Sequence, residues 1–131
     1  KLNGWKLNFQ VCYDLRFPVW SRQPPDTEMH YDIYINVANW PSKRHHAWQT
    51  LLTARAIENQ CYAIGVNRVG KDGNGHLYSG GSQIVDPLGN IVWECENKED
   101  IYTYTFEKKP LLEVRLQFPF LKDADEFRIV E

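Results

Sequence analysis

Residues 31–41, YDIYINVANWP, form a nearly continuous apolar run of strand-forming residues that ends at a proline. A strand that is apolar at successive positions is buried on both faces, as is typical of parallel sheets covered by helices. From Ser42 to about Asn59 the apolar residues recur with a helical period, and Ser42 is the predicted N-cap. Strand character returns at Cys61. This order predicts an α/β fold, a layered α/β or α+β sheet protein.

Further strands are predicted on both sides of this unit. Residues 5–12 follow an Asn-Gly hairpin signal and alternate apolar with polar side chains, so Cys12 is expected at or just past a strand end. Residues 61–70 are expected to form a strand, and residues 71–81 a flexible Gly-rich loop over a pocket. Residues 82–95 are expected to form two strands around a Pro-Leu-Gly turn. A further strand at 101–107 and a short helix at 108–117 follow.

Composition excludes several classes of protein. The chain has 131 residues, enough for one domain with a core, and its net charge of −2 comes from scattered charges without the basic face of a nucleic-acid-binding protein. No stretch approaches the roughly 20 apolar residues that cross a bilayer. No partner is therefore predicted among nucleic acids or membranes. A cytoplasmic location is predicted, since the N-terminal residues do not resemble a secretion leader.

The three cysteines are Cys12, Cys61 and Cys95, an odd number without paired spacing. Such a set favours free thiols in a reducing compartment over a disulfide framework or a zinc site. Cys61 and Cys95 are interpreted as core thiols. The chain starts at Lys1 and its only methionine is Met29, so it is expected to be part of a longer polypeptide.

Cys12 has two interpretations. It can be a small buried hydrophobic residue, which is common for free cysteines. It can also be a nucleophile presented where a strand breaks into a turn, with the Tyr13 backbone N–H beside it to hold an oxyanion. Asp14 and Arg16 follow at once, either as an exposed ion pair on a surface turn or as groups that face a site.

Other residues are expected near Cys12. Asn39 and Trp40 end the second strand, at the same sheet edge as Cys12 if the two strands are parallel neighbours. Trp40 is a candidate pocket wall or a core tryptophan. Arg16, and after it Arg68, is a candidate for holding a substrate carboxylate.

The predicted helix carries two charges on its apolar side. Arg55 and Glu58 are three residues apart, and Arg55 shares a side with Trp48, Leu52 and Asn59. A buried ion pair that supports the sheet is expected, since either charge alone would be costly to bury. The His45-His46 pair is interpreted as a solvated helix start, and no metal is predicted.

Five blocks resemble one known family in its order. They are CYDLRFP at 12–18, ANWP at 38–41, ARAIENQCY at 54–62, GVNRVG at 65–70 and SGGSQIVDPLGNIV at 79–92. The chain resembles the nitrilase superfamily of carbon–nitrogen hydrolases, most closely its ω-amidase-like branch. The resemblance implies an αββα sandwich that assembles as a homodimer or larger homo-oligomer, with no cofactor.

The same resemblance implies a Glu-Lys-Cys catalytic set. Cys12 would attack a small linear ω-amide, release ammonia and leave a thioester, while the Tyr13 N–H and the lysine stabilise the oxyanion. The family's glutamate and lysine lie upstream of the cysteine, and no residue here matches them, neither Lys43 nor Glu58. Residues 1–131 are therefore expected to be the C-terminal part of one hydrolase domain and inactive alone.

Two alternatives remain open. The chain can be a non-catalytic half-fold that binds another protein through exposed strands or helix faces. It can also share the fold and thiol but act as a nitrile hydrolase or N-acyl transferase.

Overall fold

The computed structural model describes residues 1–26, 28, 30–127 and 130. Its centre is a strand–helix–strand unit: β2 (Ile33–Ala38), α1 (His45–Asn59) and β3 (Tyr62–Asn67). Strand β1 (Leu7–Val11) lies parallel to β2, which is parallel to β3. The continuous apolar run thus forms an inner parallel strand, as the sequence predicts.

Three antiparallel strands complete a six-stranded sheet: β4 (Val69–Lys71), β5 (Leu77–Val85) and β6 (Ile91–Glu96). The order is β1-β2-β3-β5-β4, and β6 also pairs with β5. The β5–β6 hairpin turns through Asp86, whose carboxylate accepts the backbone N–H groups of Leu88 and Asn90 at 2.9 Å each. This sheet with its helices confirms the predicted α/β class.

Helix α1 covers one face of the sheet. Its buried Trp48, Leu52 and Ala56 pack with Tyr34 and with further sheet residues in the main core. The helix approaches β3 at Gly65, where a Cβ atom would lie only 2.2 Å from the Leu52 Cδ1. Only glycine fits there, because that distance is well inside van der Waals contact.

Helix α2 (Lys108–Gln117) lies at the other face, in the position predicted for the last helix. Its buried Leu111 joins a second cluster that includes Ile33 and Tyr62. Across the same face, nearer the ends of the parallel strands, several large apolar side chains are exposed: Phe9, Val11, Val37 and Val66. They align across β1, β2 and β3.

The predicted Gly-rich loop at 71–81 is wrong in extent. Residues 77–79 pair with β4, so that only a tight turn separates β4 from β5. The Asp72 carboxylate stabilises this turn by accepting N–H groups of Asn74 and His76 at 2.9 Å each. Residues 77–81 form a strand despite their glycines, because they pair with neighbouring strands and the glycines of the predicted loop lie at a bulge and in the turn.

Residues 101–107 are not the predicted strand, since no regular secondary structure is assigned there. Their aromatic rings pack against sheet residues instead. Tyr102 stacks on Trp93 at 4.6 Å between centroids, and Phe106 meets Tyr62 edge-on at 5.0 Å. Aromatic and β-branched residues favour strands because their side chains pack well on a half-buried surface. An extended segment can make the same side-chain contacts without forming the backbone hydrogen bonds of a sheet.

Ser42 is not the N-cap of α1. A 3₁₀ turn, Ser42–Arg44, precedes the helix, and Arg44 occupies the cap position. The Ser42 hydroxyl donates to the Leu77 carbonyl at 3.0 Å and so ties this turn to β5. Within the described part of the chain, neither helix has the length and hydrophobicity needed to span a bilayer.

Candidate active site

Cys12 lies directly after β1 and opens a 3₁₀ turn, Cys12–Arg16. Its φ of +46° is in the left-handed region, which costs a non-glycine residue about 1 to 2 kcal/mol. The Asp14 carboxylate offsets part of this cost by accepting the Val11 N–H at 2.9 Å, and the Phe17 N–H closes the turn on the Asp14 carbonyl at 2.9 Å. The turn leaves Cys12 partly exposed.

Tyr13 follows Cys12 at the start of this turn. The first N–H groups of a helical turn have no acceptor within the turn. The Tyr13 backbone N–H is therefore suited to hydrogen-bond an oxygen bound over the Cys12 thiol. The Tyr13 ring is exposed and packs edge-on against Phe17, with centroids 5.1 Å apart.

The turn after β2 lies beside Cys12, because β1 and β2 are parallel and Val11 pairs with Val37. The Asn39 carbonyl is 3.9 Å from the Cys12 Sγ. Asn67, at the end of β3, fixes this turn. Its Oδ1 accepts the Trp40 N–H at 2.7 Å, and its Nδ2 donates to the Trp40 carbonyl at 3.0 Å.

A cavity of about 250 Å³ opens at this edge of the sheet. It is lined by Cys12, Tyr13, Arg16, Asn39, Trp40 and Arg44. Five of these residues are sequence-predicted site residues. The sequence reasoning missed Arg44, although a cation three residues after the Trp-Pro turn was a signal for it. It also missed Asn67. This residue ends β3, and site residues of parallel sheets lie at the carboxyl ends of the strands.

Arg16 does not form the exposed ion pair with Asp14 that one interpretation predicted. Its guanidinium lies over the Trp40 ring, 4.9 Å from the centroid. Trp40 itself is 3 % exposed and belongs to the main core, yet it also lines the cavity. Trp40 is therefore both a core residue and one of the residues that line the cavity.

Arg68 lies elsewhere. Its guanidinium packs over the Tyr78 ring at 4.8 Å and lines a separate cavity of about 820 Å³ with Trp93 and Cys95. The structure thus separates Arg68 from the Cys12 cavity, whereas Arg16 is part of it.

Arg55 and Glu58 form the ion pair expected from their spacing, with Nη1 and Oε1 2.7 Å apart. Arg55 is buried, and its Nη2 also donates to the Leu15 carbonyl at 2.6 Å. Leu15 belongs to the turn that begins with Cys12, so one guanidinium joins α1 to that turn. Neither Glu58 nor Lys43 lines the Cys12 cavity.

The other two thiols are buried. Burial raises the pKa of Cys61 from its ordinary value of 9.0 to about 12, so this thiol stays protonated at neutral pH. Cys95 lies near Asp100, with 3.7 Å between Sγ and Oδ2. Cys12 is therefore the most accessible of the three thiols.

The prediction that His45 belongs to a solvated helix start is wrong, because its imidazole contacts a carboxylate of the sheet. Its Nε2 is 2.7 Å from the Glu96 Oε1, and Glu94 lies nearby, so that the three ligand atoms are within 4.8 Å of one another. Glu94 also accepts the Gln49 amide at 2.5 Å. These contacts join α1 to β6. His46 is exposed on the helix surface.

Comparison with known proteins agrees with this geometry. The carbon–nitrogen hydrolase family matches residues 1–109. Omega-amidase YafV of Escherichia coli K12 is 49% identical over 127 residues, which are 96% of this chain and 48% of the relative. The 2-oxoglutaramate amidase of Bacillus subtilis is 35% identical over 123 residues, 94% of this chain and 46% of the relative.

A solved structure has nearly the same fold. It is a CN-hydrolase superfamily protein from Xanthomonas campestris with an arsenic adduct in its active site. The TM-score is 0.96 at 46% identity, covering 99% of this chain and 51% of that chain. The chain spans about half the length of these relatives. The resemblance found in the five sequence blocks is confirmed: this chain belongs to the carbon–nitrogen hydrolase family.

Proposed function

We propose that the complete protein hydrolyses the carbon–nitrogen bond of a small linear ω-amide, with Cys12 as the nucleophile. One observation carries the proposal: the partly exposed Cys12 thiol is held at a positive φ, at a strand end, in a cavity lined by arginines. The names of the relatives, omega-amidase and 2-oxoglutaramate amidase, support the choice of an amide that carries a carboxylate.

The reaction has two halves. The Cys12 thiolate attacks the amide carbon, and the oxygen takes up negative charge that the Tyr13 N–H stabilises. The C–N bond then breaks, the nitrogen takes a proton and leaves as ammonia, and the acyl group remains as a thioester. Water attacks the thioester, the C–S bond breaks, and the products are a carboxylic acid and the free thiol.

A general base and a second oxyanion donor are needed for both halves. We assign them to a glutamate and a lysine in an upstream half of the polypeptide. Three facts support this assignment. Neither Glu58 nor Lys43 lines the cavity, the relatives are about twice as long, and the sheet leaves an apolar face exposed around Val37. In this proposal the upstream half covers that face.

Ammonia release from short ω-amides of dicarboxylic acids, by the complete polypeptide, tests the function. Cys12→Ser should abolish release, because a serine hydroxyl is a far weaker nucleophile at neutral pH. Cys95→Ala removes a thiol outside the cavity and should retain activity. Release by Cys12→Ser at the rate of the unaltered protein would overturn the proposal. So would no release from any amide together with equal alkylation of all three thiols.

The 131-residue chain by itself should release no ammonia, since it supplies only one member of the catalytic set. Release by this chain at the rate of the complete polypeptide would contradict the assignment of the base. A cytoplasmic location and a homodimer or larger homo-oligomer stay predictions.

A non-catalytic interaction protein is the second candidate, because the exposed apolar sheet face could bind another chain. The sequence upstream of Lys1 discriminates between the two, since a glutamate and a lysine block there favours the enzyme. Nitrile hydrolysis and N-acyl transfer are separated from amide hydrolysis by assaying nitriles and acyl acceptors in parallel.

A further inference from the structure

Arg44 lies between the Trp-Pro turn and α1. It ends the 3₁₀ turn Ser42–Arg44 and caps the 15-residue helix α1. Arg44 is exposed and is one of the residues that line the same cavity as Cys12. A helix N-terminus carries a partial positive charge, so the dipole of α1 adds to the charge of the guanidinium there.

Trp40 positions both arginines of the cavity. The Arg16 guanidinium lies over its ring, 4.9 Å from the centroid. Its indole Nε1–H donates to the Arg44 carbonyl at 2.8 Å, which fixes the Arg44 backbone. Because Trp40 is buried and its own backbone is held by Asn67, this arrangement has a rigid base.

In the described part of the chain, no carboxylate forms a salt bridge with either of these two cations, Arg16 and Arg44. None of the residues that line the cavity is acidic. Asp14, the acid nearest in sequence to Arg16, uses its carboxylate to accept the Val11 N–H. The part of the cavity that this chain supplies therefore carries two positive charges and no negative one, and it is suited to an anion.

We propose that Arg44 is a second specificity-determining residue, which together with Arg16 binds the carboxylate of the substrate while its amide lies at Cys12. The inference deepens the proposed function, since it names the residue that selects anionic amides over neutral ones. A carboxylate has two oxygens and about four acceptor sites, so it can bind two guanidiniums at once. A neutral amide offers no such partner.

The rate of Cys12 alkylation in the complete polypeptide tests the role of Arg44 in anion binding, and it does not depend on amide hydrolysis. Iodoacetate and iodoacetamide differ mainly in that iodoacetate carries a negative charge. The ratio of their Cys12 rates, measured by peptide mass spectrometry, reports the anion preference of the cavity. Arg44→Gln should lower this ratio by about tenfold at low salt, since the attraction between exposed charges is screened by salt.

Lys43→Gln is the matched control. It removes the same charge from the neighbouring residue, whose side chain does not line the cavity. Its ratio should stay within about twofold of the unaltered protein, because a charge outside the cavity is screened by solvent. Arg44→Lys, which keeps the charge, should recover most of the preference. Cys61 should stay unmodified in every variant, which verifies that each is folded.

The proposal is overturned if Arg44→Gln leaves the ratio unchanged, or if Lys43→Gln lowers it equally. The hydrolysis assay adds a separate measurement. Arg44→Gln should raise KM for a carboxylated ω-amide by about tenfold and should lower kcat/KM for that amide far more than for a matched neutral amide. If no amide is hydrolysed but the alkylation preference depends on Arg44, the amidase function fails and the anion site stands. If amides are hydrolysed but the alkylation preference does not depend on Arg44, the amidase function stands and the anion site fails.

Discussion

Arg55 joins helix α1 to the turn that begins with Cys12. Its planar guanidinium reaches two acceptors at once, the Glu58 carboxylate and the Leu15 carbonyl. A lysine ammonium is a compact charge that cannot present the same fork of donors. Arg55 is thus a positioning residue, which acts on Cys12 through the turn that both share.

Arg55→Lys should therefore lower the free energy of unfolding by about 1 to 3 kcal/mol, because one buried acceptor loses its partner. It should also slow the alkylation of Cys12 by iodoacetamide, since the turn is no longer held on α1. Urea unfolding and peptide mass spectrometry measure the two effects. Arg68→Lys is the control, an exposed arginine expected to change stability by less than about 0.5 kcal/mol. Equal effects of the two substitutions would contradict this account.

Cys61 makes stability depend on pH at the alkaline side. Burial raises its pKa from 9.0 to about 12, so the folded protein keeps a proton that the unfolded chain releases. The stabilisation is complete below pH 9.0 and is lost as the pH rises toward about 12. Between pH 9.0 and 10.0 the free energy of unfolding should fall by on the order of 1 kcal/mol.

Urea midpoints measured across this pH range check the prediction, and Cys61→Ala should flatten the slope. Above pH 10.0 further contributions begin, because burial also raises the pKa values of Tyr31 and Tyr62, and that of Tyr34 to about 12. A slope that persists unchanged in Cys61→Ala between pH 9.0 and 10.0 would assign the effect to another group.

At the scale of elements, Asp32 connects the start of the sheet to α2. Its carboxylate is 2.5 Å from the Lys108 Nζ and 3.6 Å from the Arg115 Nη1, and it also accepts the Lys6 N–H at 2.8 Å. Arg115 in addition donates to the Tyr31 carbonyl at 2.6 Å. The helix buries only Leu111 fully, so polar contacts contribute much of its attachment.

Asp32→Asn should destabilise the protein by about 2 to 4 kcal/mol, because Lys108 and the half-buried Arg115 lose the buried anion that they share. The loss should appear first as faster proteolysis within residues 108–117. Glu113→Gln is the comparison, since Glu113 forms only an exposed pair with Lys109 at 3.8 Å, worth under about 1 kcal/mol. If α2 is cleaved no faster in Asp32→Asn than in Glu113→Gln, the helix is held mainly by its apolar contacts.

At the scale of the whole molecule, the sheet has one covered face and one partly open face. Val37 is 46 % exposed although it lies on an inner parallel strand, where a side chain is normally buried on both faces. Phe9, Val11 and Val66 extend the same patch across three strands. A continuous apolar patch of this kind is typical of a surface that contacts other protein, and in the proposal above the upstream half covers it.

Val37→Asp should therefore destabilise the complete polypeptide by about 3 kcal/mol or more, the effect of an unpaired charge in a core. Leu88 in the hairpin turn is 55 % exposed, a fraction similar to that of Val37 in this chain. Leu88→Asp should nevertheless change the stability of the complete polypeptide by less than about 0.5 kcal/mol, because the turn stays in solvent. Thermal unfolding of both variants measures the difference. Similar small effects would mean that solvent, and no upstream layer, covers this face.

Local pattern in the sequence determined the elements that have a strong period. The apolar run of β2, the helical spacing of α1 and the boundaries of α2 are all predictable, because each depends on residues a few positions apart. The pairing of Arg55 with Glu58 is predictable for the same reason. The position of Cys12 at a strand end and the family follow from short blocks of sequence.

Only the tertiary structure decided what depends on residues distant in the chain. Asn67 holds the turn at Trp40 across 27 positions, and Arg44 joins Arg16 in one cavity because two parallel strands end at the same edge. Residues 101–107 have the composition of a strand, yet their rings pack on the sheet without joining its ladder. The sequence determined the strongly periodic elements, because their signals are local, while the geometry of packing decided which side chains meet and whether residues 101–107 join the sheet.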